Sequence, residues 1–573
     1  MKNITNKEIA DIFKELADLL DIEGENHFKV RAYRNAARVI ESFGRSIFSM
    51  VQNGEDLARL PAIGKEIAAK ITQIVQTGKL DKLERLKQKI PDGLRQMLSI
   101  EGLGPKRVKI LYDKLHITNP QMLQDAAASH AISKLPGFGP KTEAKILNGL
   151  HLLKQEGIRY LYAEAEPYAR QIISYLQKAP TLYSAEAAGS FRRRKDTVGD
   201  LDILATAKNP QQVIDHFVKF DQIAKIITAG DTRSTIVLKN ALQIDLRVVE
   251  PRHYGAALHY FTGSKSHVLA LRKKAVERGL KINEYGIFRG DKKIAGKDET
   301  GIYKTFGLSY IEPELRENRG EFEAAASDRL PRLVSIDDIR GDLHMHSSYS
   351  DGTDNIEKIA EYARGMGYSY IALSDHGSTM PLVHGLDSDK FASYIDTIDK
   401  LNAQWSDFRI LKSMEVDILV DGTLGADDDM LARLDIVIAG IHTHFSLPRD
   451  KQTKRLQKAI QNPHINIISH PTGRLIGKRS PMNLDMKQIY EASAEHNVYL
   501  EINSQPVRMD LDDIHIKDAK AMGVRFAIST DAHSVSQLGY MRYGINQARR
   551  GWLEKENIIN TLPLPELLKL FKR

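Results

Sequence analysis

Between residues 341 and 533 this chain ends one short apolar run after another with a histidine or a carboxylate. GDLHMHSSYSDG supplies His344, His346 and Asp351, and IALSDHGS supplies His376. LKSMEVDIL gives Glu415, IAGIHTHF gives His442 with His444 beside it, and IISHPTG gives His470. AISTDAHS gives Asp531 and His533. On a strand, residues i and i+2 share a face, so His344 and His346 point the same way. A lone HxH proves little, because two core or surface histidines would do the same. Recurrence at strand ends, with helical stretches such as NIEKIAEYARGMG (355–367) between them, suits a parallel α/β barrel with its site at the C-terminal mouth. The sequence has no cysteine, so disulfides and thiolate ligands are excluded and any metal rests on His, Asp, Glu or backbone oxygen. The nine donors His344, His346, Asp351, His376, Glu415, His442, His470, Asp531 and His533 fit two or three Zn²⁺ or Mn²⁺ ions.

That region is less than half of the 573 residues, so several domains are expected. Hydrophobic residues make up 42% and charged residues 27%, as in ordinary globular proteins. The net charge of +8 and pI near 9.1 hint at a polyanionic partner. The amphipathic, acid-containing start MKNITNKEIADIFKELADLL lacks the apolar run of a signal peptide. No stretch approaches the ~18 apolar residues of a membrane span. A cytoplasmic protein with no membrane partner is expected.

Three similar stretches punctuate the first 150 residues: LPAIGKEIAAKI (60–71), IEGLGPKRVKILY (100–112) and LPGFGPKTEAKIL (135–147). Each has an apolar lead, a tight turn with Gly64, Gly104 or Gly139, then a helix with an early lysine, Lys65, Lys106 or Lys141. Such a turn exposes backbone N–H groups at a helix N-terminus, which suits a phosphate. One copy would be an ordinary corner. Three in register favour sequence-independent binding to a DNA backbone. HFKVRAYRNAARVIESF (27–43) is a basic amphipathic helix, suited equally to solvent and to DNA.

In AAGSFRRRKDTVGDLDILATA (187–207) the run VGDLDILATA has a strand pattern with Asp200 and Asp202 on one face. LQIDLRVVE places Asp245 in a second strand pattern. Three carboxylates on adjacent strands repel one another unless cations separate them, and they make a site for two Mg²⁺ or Mn²⁺ ions. Gly189 and Ser190 can offer donors to phosphates, and Arg193 adds charge there.

GSFRRRKDTVGDLDIL and HYFTGSKSHVLALRKKAVERGLKINEYGIF (259–288) resemble the nucleotidyltransferase core of the family X DNA polymerases. The resemblance runs from about residue 1 to 316. It implies that Asp200 and Asp202 hold both ions and that Asp245 lies near the primer 3′-OH. It places Gly189, Ser190, Arg193 and Arg159 on the triphosphate, Tyr260, Phe261 and Gly263 against the incoming sugar, and Arg272 on the template. Val268 stands where relatives carry an asparagine that meets the incoming base, so weaker nucleotide binding is expected. Gln243 stands where some relatives have arginine. The N-terminal part resembles domains that cleave abasic sites through a lysine Schiff base, with Lys70 as nucleophile and Lys29 on the 5′ phosphate. Glu66 replaces another lysine of that pattern.

DLHMHSSYSDG, SDHG, EVD, HTH, SHP and STDAHS stand in the order found in the PHP (polymerase and histidinol phosphatase) family, to which residues 336–573 are similar. All nine ligand positions of that pattern are filled. The resemblance assigns Asp342 to orienting a ligand, Arg474 to a phosphate, and a bridging role to Glu415. Together the halves resemble bacterial family X DNA polymerases with a C-terminal PHP domain. The implied fold is multidomain: an 8-kDa-like helical domain with the first helix-hairpin-helix (1–85), a helical subdomain with two more (86–150), an α+β palm (151–250), a nucleotide-selecting subdomain (251–316), a partly helical linker (317–335) and an α/β PHP barrel (336–573). The implied activities are gap filling in base excision repair on DNA gaps and 3′ ends with dNTPs, metal-dependent 3′→5′ exonuclease, abasic-site endonuclease and 5′-deoxyribose phosphate lyase, carried out by a monomer. The alternatives are a DNA-end scaffold without polymerase activity and a PHP phosphoesterase acting on small molecules.

Overall fold

The computed structural model describes residues 4–571, apart from 5, 42, 44–46, 61, 99, 101–102, 140–141, 144–145, 147–158 and 380–382. Lys141 of the third repeat lies outside the described residues.

The N-terminal region is helical. Helices Asn6–Glu23 and His27–Glu41 pack together, followed among others by Lys65–Thr77, Asp81–Lys89 and Pro105–Leu115. Gly64 and Gly104 are the N-caps of Lys65–Thr77 and Pro105–Leu115, and neither cap is closed by a side chain. Lacking a side-chain oxygen, these caps leave the first-turn N–H groups for another acceptor. The Gly139 carbonyl accepts from the N–H groups of Thr142 and Glu143, which starts a third turn of the same kind. One continuous apolar core runs from Ile9 to Ile146, so the two helical regions expected from sequence share a single interior.

The palm is a five-stranded sheet in the order Leu182–Ala187, Asp200–Ala207, Gln243–Val249, Arg233–Leu238, Ile223–Ala229. Its one parallel pair is Asp200–Ala207 with Gln243–Val249. Alternate residues of this pair, Leu201, Ile203, Ile244 and Leu246, enter the core. The period of two thereby turns the acids to the other face. The next subdomain joins helices Tyr254–Thr262 and Lys265–Glu277 to a three-stranded sheet and the helix Glu299–Thr305. The stretch 317–335, expected as a partly helical linker, contains helix Glu321–Ala326, and Phe322 and Ala325 belong to the same core as Leu271 and Ile302. It is packed structure, because Glu321 is fully buried and meets the buried ring of His267 at 2.7 Å.

The C-terminal domain is a seven-stranded, all-parallel sheet with its strands in chain order, from Gly341–Asp342 to Phe526–Ser529. The ends nearly close on each other. Met345 pairs with Ala532, His346 N–H donates to Ala532, and Asp531 N–H donates to His344. At the other end the buried Asn560 amide donates to Gly341 and Ile528. Tyr370, Ala372, Ile436, Ile438 and Ala527 fill the interior, which Leu567 of the C-terminal helix Leu564–Phe571 plugs from below. Ile371, Leu373, Val437 and Ala439 face the surrounding helices. Among the described residues no helix is long and apolar enough to cross a membrane.

Candidate carboxylate and histidine metal centres

The parallel register sets Asp202 directly beside Asp245 and Asp200 beside Gln243. Burial, reinforced by Asp200 and Asp245, pushes the Asp202 carboxyl up to about 7. Burial and Asp245 also raise Asp200. Crowded acids of this kind favour a cation between them. Asp245 is held on both oxygens: Thr235 Oγ1 donates to Oδ1, and the Gln243 amide donates to Oδ2 at 2.6 Å. The donor chemistry and the mutual repulsion fit divalent cations.

Gly189 lies against this cluster in the left-handed region (φ 60°), and a Cβ there would stand 2.0 Å from Asp202 Oδ2. Only glycine lets the chain pass so close. Gly189 opens the short helix Gly189–Arg192, which also carries Ser190, and Arg193 follows as its C-cap. Arg193 is largely engaged: Nε meets Glu317 at 3.0 Å, and Nη1 donates to the Thr262 carbonyl at 2.5 Å. Arg159 donates twice to Thr197, and its charge partly offsets the rise at Asp200. Tyr260 and Phe261 end the helix Tyr254–Thr262, with Gly263 (φ 69°) as its cap. The Arg247 guanidinium lies 4.8 Å from the Phe261 ring, a cation–π contact that ties this turn to the central strand. Arg272 is exposed on Lys265–Glu277.

At the barrel mouth all nine expected donors come together. Glu415 is the hub: its oxygens lie 3.4 Å from His344, 3.2 Å from His376, 3.3 Å from His442 and 3.1 Å from His470. Asp531 is 3.2 Å from His346, and Asp351 is 3.3 Å from His533. Three groups of donors are close enough to share an ion: His346, Asp351, His376 and His533; His344, His346 and Asp531; and His376, Glu415 and His442. Four buried ring nitrogens, His346 Nδ1, His376 Nδ1, His442 Nε2 and His470 Nδ1, lack a hydrogen-bond partner. Buried polar atoms are rarely left unpaired, so this set fits divalent cations. Burial favours a neutral Glu415, but His442, His344 and His376 outweigh it and hold the carboxyl well below its usual range. Burial likewise opposes charge on His344, yet Glu501, Glu415 and Asp531 raise it well above the ordinary imidazole value. His470 (φ 28°) and Asp531 (φ 51°) adopt left-handed backbone just past their strands, the kind of strain that collects at working sites.

Several supporting residues escaped the sequence reading. Glu501 meets His344 Nδ1 at 2.7 Å and accepts from His470 N–H at 2.6 Å. Asp417 lies 3.3 Å from His442 Nδ1, and Asn503 donates to Asp531 at 3.0 Å. The signal was present, since Asp417 and Glu501 are acids that follow or interrupt apolar strand runs and are themselves buried. Asp342, expected to orient a ligand, accepts from the backbone of His344 and from Thr530, whereas Glu501 takes the His344 ring. Arg474, expected on a phosphate, donates to the carbonyls of Arg508 and Met509 and pairs with Asp196 of the palm at 3.1 Å.

In the N-terminal helical region, Lys70 borders a cavity of about 600 Å³ with Glu66, Lys82, Arg85 and Lys89. Its amine is 2.5 Å from Glu66, which also accepts from Tyr33. Lys29 pairs with Glu25 at 3.1 Å and does not line the cavity. Burial, and then the Lys29 charge, lowers Lys82, which the sequence reading did not single out.

Comparison with known families matches residues 4–80 to the helix-hairpin-helix domain and 94–151 to the SAM-like helix-hairpin-helix tandem. Residues 162–259 match the DNA polymerase beta palm, 257–317 the DNA polymerase beta thumb, and 342–505 the PHP domain. Asp531 and His533 lie beyond that last match. The chain is 38% identical over 572 residues, 99% of each protein, to the DNA polymerase/3′-5′ exonuclease PolX of Bacillus subtilis (strain 168). A probable phosphatase of Thermoanaerobacter sp. (strain X514) is 28% identical over 38% of this chain and 89% of its own length. DNA polymerase lambda of Rattus norvegicus is 24% identical over 54% of this chain and 56% of its own.

Proposed function

The chain belongs to the family X DNA polymerases with a C-terminal PHP domain, and from that premise we propose that it fills short DNA gaps at the Asp200–Asp202–Asp245 cluster and trims 3′ ends at the barrel mouth. It is a DNA polymerase and 3′→5′ exonuclease. The observation that carries the assignment of sites is the pairing of Asp202 with Asp245 across parallel strands, together with eight grouped donors in the barrel and His470 against Glu415.

Asp200, Asp202 and Asp245 would hold Mg²⁺ or Mn²⁺, and the barrel donors would hold Zn²⁺ or Mn²⁺. Bound there, such ions supply charge neutralisation at phosphate oxygens and easier deprotonation of the attacking oxygen. The protein's own part is placement. Thr235 and Gln243 fix the Asp245 carboxylate, which in this reading serves the primer 3′-OH. Gly189 and Ser190 offer short-range donors to the triphosphate, and Arg193 and Arg159 add positive charge. In the barrel, Glu501 and Asp417 orient the rings of His344 and His442. The helix caps at Gly64, Gly104 and Gly139 suit backbone phosphates on either side of a gap.

The test is a 5′-labelled primer on a one-nucleotide gap, with Mn²⁺, with and without dNTPs. Asp202→Ala is expected to lose extension alone, and His346→Ala shortening alone. Loss of both reactions in either variant would refute two independent sites.

The cavity beside Lys70 favours a second activity, removal of a 5′-deoxyribose phosphate. Lys82, Arg85 and Lys89 supply cations for the phosphate, and Lys70 must leave Glu66 to attack the sugar. Borohydride should trap the wild type on a 5′-deoxyribose-phosphate DNA end and fail to trap Lys70→Ala.

A further inference from the structure

The helix Met541–Arg550 forms much of the face that the PHP domain turns to the polymerase, beside Arg474 and Asp513. It docks against Glu166, the Arg193–Arg194 turn and the segment with Glu314 and Glu317. Tyr543 OH donates to Glu166 at 2.9 Å, and Asn546 accepts from Arg194 at 3.0 Å. Arg549 pairs with Glu314 at 2.7 Å, and Glu314 also pairs with Arg194 at 3.1 Å. At the end of the helix, Arg550 Nη1 donates to the Arg193 carbonyl at 2.7 Å and to Glu317 at 3.1 Å. Its Nη2 is anchored by Asp513 at 2.6 Å, and Asp513 also holds Arg319 at 2.7 Å.

Glu317 is thus shared. One oxygen meets both Arg193 at 3.0 Å and Arg550 at 3.1 Å. The side chains of Arg550, Arg193 and Glu317 are 3%, 11% and 15% exposed. At that burial, removing one partner leaves an uncompensated charge instead of an indifferent solvated one.

We propose that Arg550, in the nuclease domain, is a positioning residue for the polymerase's nucleotide site. It clamps the Arg193 backbone and takes part of the Glu317 charge, so that Glu317 holds the Arg193 guanidinium less tightly against an incoming triphosphate. The proposal rests on the reading of Arg193 as a triphosphate contact. Without Arg550 a larger share of the Glu317 charge falls on Arg193, with Lys195 as the remaining cation acting on it, and a carboxylate then competes with the incoming nucleotide for Arg193. The turn also loses its carbonyl anchor. The loss is felt in binding, because no group that touches the reacting atoms has changed.

Single-nucleotide gap filling by the full-length protein, titrated with the matched dNTP, tests this. Arg550→Ala should raise KM for the dNTP roughly tenfold, the effect of losing a coupled buried partner, with kcat within about twofold. The 3′→5′ exonuclease rate of the same preparation should be unchanged. Arg550→Lys keeps the charge but cannot reach three acceptors at once, and should raise KM about threefold. In an Arg193→Ala background, Arg550→Ala should raise KM no further. If Arg193→Ala itself leaves KM unchanged, the triphosphate reading of Arg193 fails. If Arg193→Ala raises KM and Arg550→Ala does not, or if the two effects add in full, the brace is wrong and the triphosphate reading stands. Should the alanine variant lose its exonuclease through misfolding, the lysine variant decides, and an unchanged KM there overturns the proposal.

Discussion

His344 shares a 2.7 Å hydrogen bond with Glu501 through Nδ1, and this contact leaves Nε2 facing the other donors of the barrel mouth. A carboxylate behind a ligand ring fixes its tautomer and raises its basicity. Glu501→Gln is therefore expected to weaken cation retention in the PHP domain by about tenfold to a hundredfold, with a parallel loss of primer shortening. Primer extension should be unaffected. Metal content after dialysis, read beside both activities, checks this, and an unaltered content would count against the role.

The polymerase centre carries its own pH signature. Burial, with Asp200 and Asp245 adding to it, pushes Asp202 up to about 7. Its folded value is raised, so the cation-free folded state binds the extra proton, and stability falls as pH climbs from the ordinary carboxylate range through about 7. Below about pH 7 a cation must displace that proton, so its apparent affinity should drop by up to about tenfold per pH unit. Mg²⁺ activation curves for extension, recorded across neutral pH, measure this directly. Without cations, Asp202→Asn should melt higher than wild type above neutrality.

A buried ion pair ties palm to thumb and sets an acid limit. Glu299 meets Arg192 at 2.8 Å and the fully buried Arg316 at 2.5 Å. Burial raises its carboxyl, but Arg316 and Arg192 outweigh it and hold the group at about 2 against an ordinary 4.5. A depressed carboxylate contributes stability that is present above its unfolded value and disappears as pH falls toward its folded one. The contribution is roughly 3 kcal/mol. Glu299→Gln should lower Tm at neutral pH and flatten the further loss of Tm between about pH 4.5 and 2. A pH dependence equal to wild type would contradict the assignment.

Val268 lies half-buried on the helix Lys265–Glu277, near the turn that carries Tyr260 and Phe261. Valine offers no hydrogen bond to a base edge. Val268→Asn is expected to lower KM for dNTPs by about twofold to tenfold, the worth of one net hydrogen bond, with exonuclease unchanged. Steady-state gap filling with single dNTPs provides the check.

Much of this was legible in the chain because it depends on local periodicity. Period two put Asp200 and Asp202 on one face, and strand ends placed nine donors on one rim. The adjacency of Asp202 and Asp245 needed strand order and register, which nothing local encodes. Glu501 and Asp417 looked like strand residues, since their function lies in what they face across the barrel. Arg474 and Arg193 also make contacts that no local pattern announces. Each pairs with an acid far away in sequence, Asp196 and Glu317, and the Arg474 pair exists only once the PHP domain docks on the palm. Contacts between domains leave no spacing for a sequence to show.

The central claim is that synthesis and degradation act at separate centres on one primer end. The most direct measurement is release of dNMP from labelled dNTP on a gapped primer, because each molecule released must first be inserted and then removed. The account predicts steady dNMP release by the wild type and none by Asp202→Ala or His346→Ala. Release that persists in either variant would contradict it.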